Sequence, residues 1–280
     1  MKNKVFLAIG LVLAVLVMLL VVSRIVITNQ SKAPEPADAL KVTDGSLEET
    51  KLFNAASKYA QSGDLLSAKD IYRKIMEKFP GSSLTEKAQG ALENTNIQIM
   101  ASSISTPDSI SYEVQKGDTL AKIAKKFSTT QDLIMRSNNL KNAKVVPLGR
   151  KLKVHNEKMS MVVDKSMNIL TLKSADTLVK TYRVATGINN CTPVGSFKII
   201  NKIVNPPWYT AGGVIPSDNP KNILGSRWLG LSAQGYGIHG TTEPKSIGNQ
   251  ITSGCVRMKN SDVEELYQIV PEGTEVIIVD

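Results

Sequence analysis

Between Val5 and Val22 the chain reads VFLAIGLVLAVLVMLLVV, without one charged residue. A helix rises about 1.5 Å per residue, so a run of this length crosses most of the hydrocarbon core of a bilayer. This constrains the chain more than any other feature, because it decides which solvent, redox state and partners the rest of the protein meets. Lys2 and Lys4 precede the run, and cationic flanks stay on the cytoplasmic side, so everything after Arg24 is directed outward. A cleaved secretory leader has a shorter apolar core followed by a small-residue cleavage site. SRIVITNQSKAPEP offers no such site, since proline follows Ala33 directly. Residues 1–28 are therefore expected to form a cytoplasmic tail and an uncleaved transmembrane anchor. With or without cleavage, the bulk of the chain is extracytoplasmic.

The formal net charge of +9 would suit nucleic acid, but export removes that partner. Anionic envelope polymers or membrane headgroups fit better. The excess is local: ten basic residues between Tyr112 and Val154 are balanced only by Glu113, Asp118 and Asp132. A plain solvated basic face is the alternative.

After the anchor, residues 29–48 are polar, carry prolines and lack periodicity, which reads as a linker. Residues 49–103 are helical by pattern. Leu52, Phe53, Ala56, Tyr59 and Ala60 share one face, and Ala68, Ile71, Tyr72, Ile75, Met76 and Phe79 share another after a break at Gly63-Asp64. Pro80-Gly81 stops the second helix, and a third runs from about Leu84 to Met100. The pattern resembles a tetratricopeptide unit, with only about one and a half repeats where a stacked array needs about three. A small all-α spacer and a repeat that binds a protein partner are both open readings.

Residues 111–155 begin with a short alternating strand and a turn at Lys116-Gly117-Asp118. Asp118 or Thr119 can cap the helix that follows, which carries Leu120, Ile123, Ala124 and Phe127. A second helix holds Leu133 and Ile134, and a strand closes the segment after Pro147-Leu148-Gly149. The opening VQKGDTLAKIA, the NNL and the closing PLGRKLKV resemble a LysM domain, a βααβ module. That resemblance implies binding to N-acetylglucosamine-containing strands of peptidoglycan.

From 159 to 280 the pattern becomes mainly strands, with one credible helix in SDVEELYQIV, capped by Ser261 or Asp262. Two residues here can do chemistry together, His239 in YGIHGTTEP and Cys255 in ITSGCVRMKN. A thiol becomes a good nucleophile when an imidazole takes its proton. Gly254 lets a backbone N–H approach a reacting carbonyl, and Arg257, two positions on in a strand, projects to the same side as Cys255. There it can hold a substrate carboxylate or keep the site electropositive. The opposing reading is a Cys191–Cys255 disulfide, the usual fate of two exported cysteines. Metal catalysis has little support: no HExxH-type pair exists, and His155 at the end of the LysM strand reads as a surface residue. No metal and no cofactor are expected. Trp208, Trp228 and Tyr236 are candidates for lining a substrate cleft, with core packing as the commoner fate of such rings.

The blocks ATGINNCTPVGSFKI, PPWYT, LGSRWLGLSAQGYGIHGT and ITSGCVRMKN together resemble the catalytic domain of the L,D-transpeptidase (YkuD-type) family. The resemblance implies Cys255 as nucleophile, His239 as general base, the Gly240 carbonyl as the group orienting the imidazole, and the N–H groups of Gly254 and Cys255 as an oxyanion hole. Thr252 and Ser253 complete the block, with serine at 253 where the family often has histidine; both join the substrate-binding candidates. The implied reaction is attack on the third-residue carbonyl of a tetrapeptide stem, release of D-alanine, and aminolysis of the thioester to give a 3→3 cross-link. Hydrolysis of the same thioester, an L,D-carboxypeptidase reaction, is the alternative, and a wall-binding scaffold locked by the disulfide is another. The expected chain is thus multidomain: transmembrane helix, TPR-like α segment, LysM module and mainly-β catalytic domain.

Overall fold

The computed structural model of the protein describes residues 36–143 and 146–280. The anchor expected over 1–28 lies outside them, and among the described residues no helix is long and apolar enough to cross a membrane. The chain divides into a unit ending at Lys51 and a compact unit from Leu52 to Asp280. Helix α1 spans Pro36–Ser62, so much of the expected linker over 29–48 is helical instead. Proline is at home in a first helical turn, where its missing N–H has no partner to lose. The Ala, Leu, Lys and Glu residues that follow favour helix enough to carry it through Gly45.

Helices α2 (Leu65–Lys78) and α3 (Ser83–Met100) follow, begun by side-chain caps from Asp64 and Ser82. Ala56, Ala68 and Ala88 are fully buried with Tyr72 and Ile75, small residues that let the helices approach closely. Helix α3 does more than space the segments around it. Ile97 and Met100 belong to the core of the last domain, because α3 turns a second apolar side toward it.

The LysM segment consists of β1 (Ser109–Glu113), α4 (Leu120–Lys126), α5 (Gln131–Ser137) and β2 (Lys151–His155), with β1 and β2 antiparallel. Thr119 caps α4 through its hydroxyl, 3.2 Å from the Lys122 N–H. Asp118 instead accepts the Gln115 N–H and the Tyr112 hydroxyl, both at 2.8 Å. The module is seated firmly on its neighbours. Leu133 enters the core of the last domain, and the half-buried Lys153 Nζ donates to the carbonyls of Ile99 (2.8 Å) and Ser102 (2.9 Å) at the end of α3. His155 is buried rather than on the surface, with Nε2 3.2 Å from Ser174 Oγ, because β2 ends against the following domain.

That domain holds β3 (Met159–Asp164), β4 (Ile169–Ser174), β5 (Thr177–Arg183), β6 (Thr186–Gly187), β7 (Gly195–Val204), β8 (Trp208–Thr210), β9 (Gly213–Ile215), β10 (Arg227–Leu231), β11 (Gly237–His239), β12 (Gln250–Thr252), β13 (Val256–Arg257), α6 (Asn260–Ile269) and β14 (Glu275–Val279). Eight strands form one mixed sheet in the order β13-β11-β10-β7-β14-β3-β4-β5. Alternation along the strands buries Met161, Val163, Leu170, Leu172, Ile199 and Leu229 with Val263, Leu266 and Ile269 of α6. Fully burying each such side chain is worth about 1.5–3 kcal/mol. Helix α6 starts at Asn260, one or two residues before the expected caps, and Lys259 precedes it with no side-chain cap.

Candidate active site

The chemistry gathers on the last three strands at one end of the sheet. In β11, His239 stands opposite Trp228 of β10 on one side and Arg257 of β13 on the other. Ile238 and Val256 are in register and buried in the core. Side chains alternate across a strand, so Trp228, His239 and Arg257 emerge on the opposite face, and Cys255 sits in the loop that leads directly into β13. Cys255 directly precedes Val256, two residues before the Arg257 that stands opposite His239.

His239 is buried, and its Nδ1 lies 2.6 Å from the Gly240 carbonyl. A carbonyl oxygen can only accept, so Nδ1 carries the proton and Nε2 keeps its lone pair. The Trp228 ring stacks on the imidazole, with centroids 5.9 Å apart and planes 18° from parallel. Its indole N–H donates to Asn201 Oδ1 at 3.1 Å, which fixes the ring in place.

Cys255 follows a tight loop. The Thr252 hydroxyl donates to the Cys255 carbonyl at 2.7 Å and accepts the Gly254 N–H at 3.2 Å. Gly254 has φ +119°, and a Cβ there would lie 2.6 Å from the Tyr236 ring, so only glycine fits. The thiol points toward the Gly235 carbonyl at 3.8 Å.

Burial pushes the Cys255 thiol up, opposed by the Gly237 backbone and the Arg257 charge, with Cys191 adding to the rise. Burial also lowers His239 to about 4 and Arg257 pushes the same way, while the backbones of Gly240 and Leu224 resist. At neutral pH the site therefore rests as thiol and neutral imidazole, a nucleophile and its base before proton transfer.

Residues 158–278 match the YkuD L,D-transpeptidase catalytic domain, and residues 112–155 match the LysM domain. Over 174 residues the chain is 39% identical to a Bacillus licheniformis protein named as an L,D-transpeptidase, YkuD, an alignment covering 60% of this chain and 97% of that one. The chain belongs to the YkuD L,D-transpeptidase family. A Bacillus subtilis relative of the same name is 37% identical over 176 residues, covering 60% of this chain and 98% of its own. A solved L,D-transpeptidase from Mycobacterium smegmatis aligns at 18% identity and a TM-score of 0.37, over 47% of this chain and 64% of that one, too loose a likeness to bear on the site.

In this family member the expected residues divide into those that line the site and those that hold it. Cys255, His239 and Gly240 stand together as described, with Trp228 and Tyr236 packed around them. Thr252 is buried as a brace of the cysteine loop, whereas Ser253 is exposed. The Gly254 N–H already has the Thr252 hydroxyl as a partner. Arg257 is only 6% exposed, and its Nη1 donates to Glu243 Oε2 (2.8 Å) and Ser246 Oγ (3.1 Å). Buried in this way, it acts on the site through its charge rather than as a surface clamp for a substrate carboxylate. Trp208 belongs to the separate β8–β9 hairpin. Cys191 and Cys255 are both free thiols, so the Cys191–Cys255 disulfide is not formed; the Cys191 thiol points toward the Thr252 carbonyl at 3.8 Å.

Asn201, Glu243, Ser246 and Asn260 went unassigned in the sequence. Asn260 ends one of the strings that resemble the family, five residues after Cys255, and Glu243 lies just past another, four residues after His239. Nothing in spacing says what a side chain does when its partner lies on another strand.

Proposed function

We propose that the protein is a peptidoglycan L,D-transpeptidase that makes 3→3 cross-links through a thioester on Cys255. The observation that carries this reading is the His239 Nδ1–H held by the Gly240 carbonyl, on the strand paired with the one that Cys255 leads into. As Cys255 Sγ attacks the third-residue carbonyl of a tetrapeptide stem, its proton passes to Nε2. The tetrahedral oxyanion is stabilised by the Cys255 N–H, with the Gly254 N–H turning from Thr252 as charge develops. Collapse breaks the peptide bond, and the imidazolium protonates the departing D-alanine amine. The side-chain amine of a second stem then attacks the thioester, His239 takes the surplus proton, and the thiol is restored. Because the resting thiol is protonated, this is general-base catalysis rather than attack by a preformed ion pair.

The LysM module holds the glycan strand in this reading, the apolar run at 5–22 tethers the enzyme to the membrane, and the catalytic unit works on the extracytoplasmic side. Hydrolysis of the thioester would give an L,D-carboxypeptidase from the same residues. The disulfide-locked scaffold is disfavoured by the two free thiols. Tetrapeptide muropeptides given to the wild type and to Cys255→Ala test these readings. Dimers from the wild type alone are expected. Tripeptide without dimer would make it a carboxypeptidase, and an unaffected variant would overturn the mechanism.

A further inference from the structure

The His239 Nδ1–H is held by the Gly240 carbonyl, and something must aim that carbonyl. The Gly240 C=O and the Thr241 N–H belong to the same peptide unit, which is planar and trans, so the two bonds point in opposite directions. Fixing one end of the unit aims the other. The Thr241 N–H donates to Asn260 Oδ1 at 3.0 Å, while on the far side Gly240 receives the His239 Nδ1–H at 2.6 Å.

Asn260 is well placed to do this. It is the first residue of α6, and its Oδ1 also accepts the Ser226 N–H at 3.1 Å, so the oxygen sits between two backbone segments. A Cβ on either Gly225 or Gly240 would fall well inside contact distance of that oxygen, which is why the backbone closes on it only through glycines. The Gly240 N–H is held separately by the Arg227 carbonyl at 3.1 Å. Both N–H groups that flank the Gly240 carbonyl are thus occupied, and the carbonyl keeps one direction. Donation by the Thr241 N–H also polarises the amide and strengthens its oxygen as an acceptor.

We infer that Asn260 is a positioning residue for the general base: acting through the Gly240–Thr241 amide, its side-chain oxygen holds His239 in the Nδ1–H tautomer with Nε2 free for the Cys255 proton. The inference rests on the Cys255–His239 reading and adds a third member to it. The relay runs Asn260 Oδ1, Thr241 N–H, Gly240 C=O, His239 Nδ1–H. It does for a neutral amide what a buried carboxylate does in a Ser-His-Asp triad, orienting the ring and supporting the imidazolium, but with no charge of its own.

The test uses the full chain with a carbapenem as acyl donor, following the rate of adduct formation on Cys255 and the ring ¹⁵N signals of His239. The wild type is expected to acylate and to show a single Nδ1–H tautomer. A wild type that takes no adduct would sink the proposed function and leave the tautomer measurement to judge the relay. Asn260→Ala should acylate about 10- to 100-fold more slowly, by analogy with the loss of other outer partners of functional histidines. The carbapenem concentration giving half-maximal rate should not change. Because the Gly240 carbonyl favours the protonated ring, loosening it should also move the acid limb of the rate profile to lower pH, and the ring signals should report mixed tautomers. Asn260→Asp retains an oxygen for both N–H groups and should restore most of the rate. If Asn260→Ala does not fold, Asn260→Gln, which keeps the amide but displaces its oxygen, carries the same expectations. A wild-type rate in the Ala or Gln variant, or a slow variant whose His239 remains a pure Nδ1–H tautomer, overturns the inference.

Discussion

The two ends of the eight-stranded sheet are finished in opposite ways. At the β5 end, helix α3 closes the edge. Asn96 Nδ2 donates to the Val179 carbonyl at 3.1 Å, Glu93 accepts the Thr181 N–H at 3.2 Å, and Ile97 and Met100 fill the space beneath. An exposed strand edge is a template for unwanted pairing, and here a neighbouring segment occupies it. At the β13 end the strands shorten to two or three residues, glycines replace bulky side chains, and buried polar groups collect: His239, Arg257, Thr241 and Thr252. One end is built for stability, and the other holds His239, whose protonation burial disfavours. The difference separates residues whose loss should unfold the protein from those whose loss should only silence it.

Truncation at the closed end should give the largest effect on folding. Ile97→Ala is expected to cost about 2–5 kcal/mol in denaturant unfolding while leaving the carbapenem acylation rate of the folded protein unchanged. A rate that fell with stability would mean that the two ends are not separable. The catalytic end should dominate the response to acid. His239 is lowered from the usual 6.5 to about 4 by burial, so between those values the unfolded chain binds a proton that the folded chain excludes. Stability from this source is complete above pH 6.5 and declines as the pH falls toward 4. His155 is lowered by burial too, so His239→Gln should flatten only part of the fall in melting temperature over that window. No flattening at all would remove His239 from the account. The smallest effect belongs to Asn96→Ala, which removes one hydrogen bond to the β5 edge. A typical bond contributes about 1 kcal/mol, and less is expected here because Asn96 Oδ1 is buried without a partner in the wild type and disappears with it.

Much of the site was legible because its residues lie in short strings. In ITSGCVRMKN the thiol, the glycine and the arginine follow one another, and IHG brings the base and its orienting carbonyl together. Their roles depend on local backbone geometry, which sequence records directly. Of the two roles open to Arg257, burial against Glu243 and Ser246 of a separate turn favours keeping the site electropositive over holding a substrate carboxylate. His155 was misjudged because the surface that buries it belongs to the next domain.

By itself, the sequence determined the order of the modules, the family of the last one, and the pairing of a thiol with an imidazole. The module order and the family are carried by short strings, while the thiol and imidazole, 16 positions apart, are paired through the resemblance to the family. The tertiary structure alone decided that α3 closes a sheet edge, that Arg257 works from beneath the site, and that Asn260 reaches the peptide which aims His239. Those contacts join elements distant in the chain, and their partners are selected by packing and by the need to satisfy buried polar groups, which no local pattern encodes.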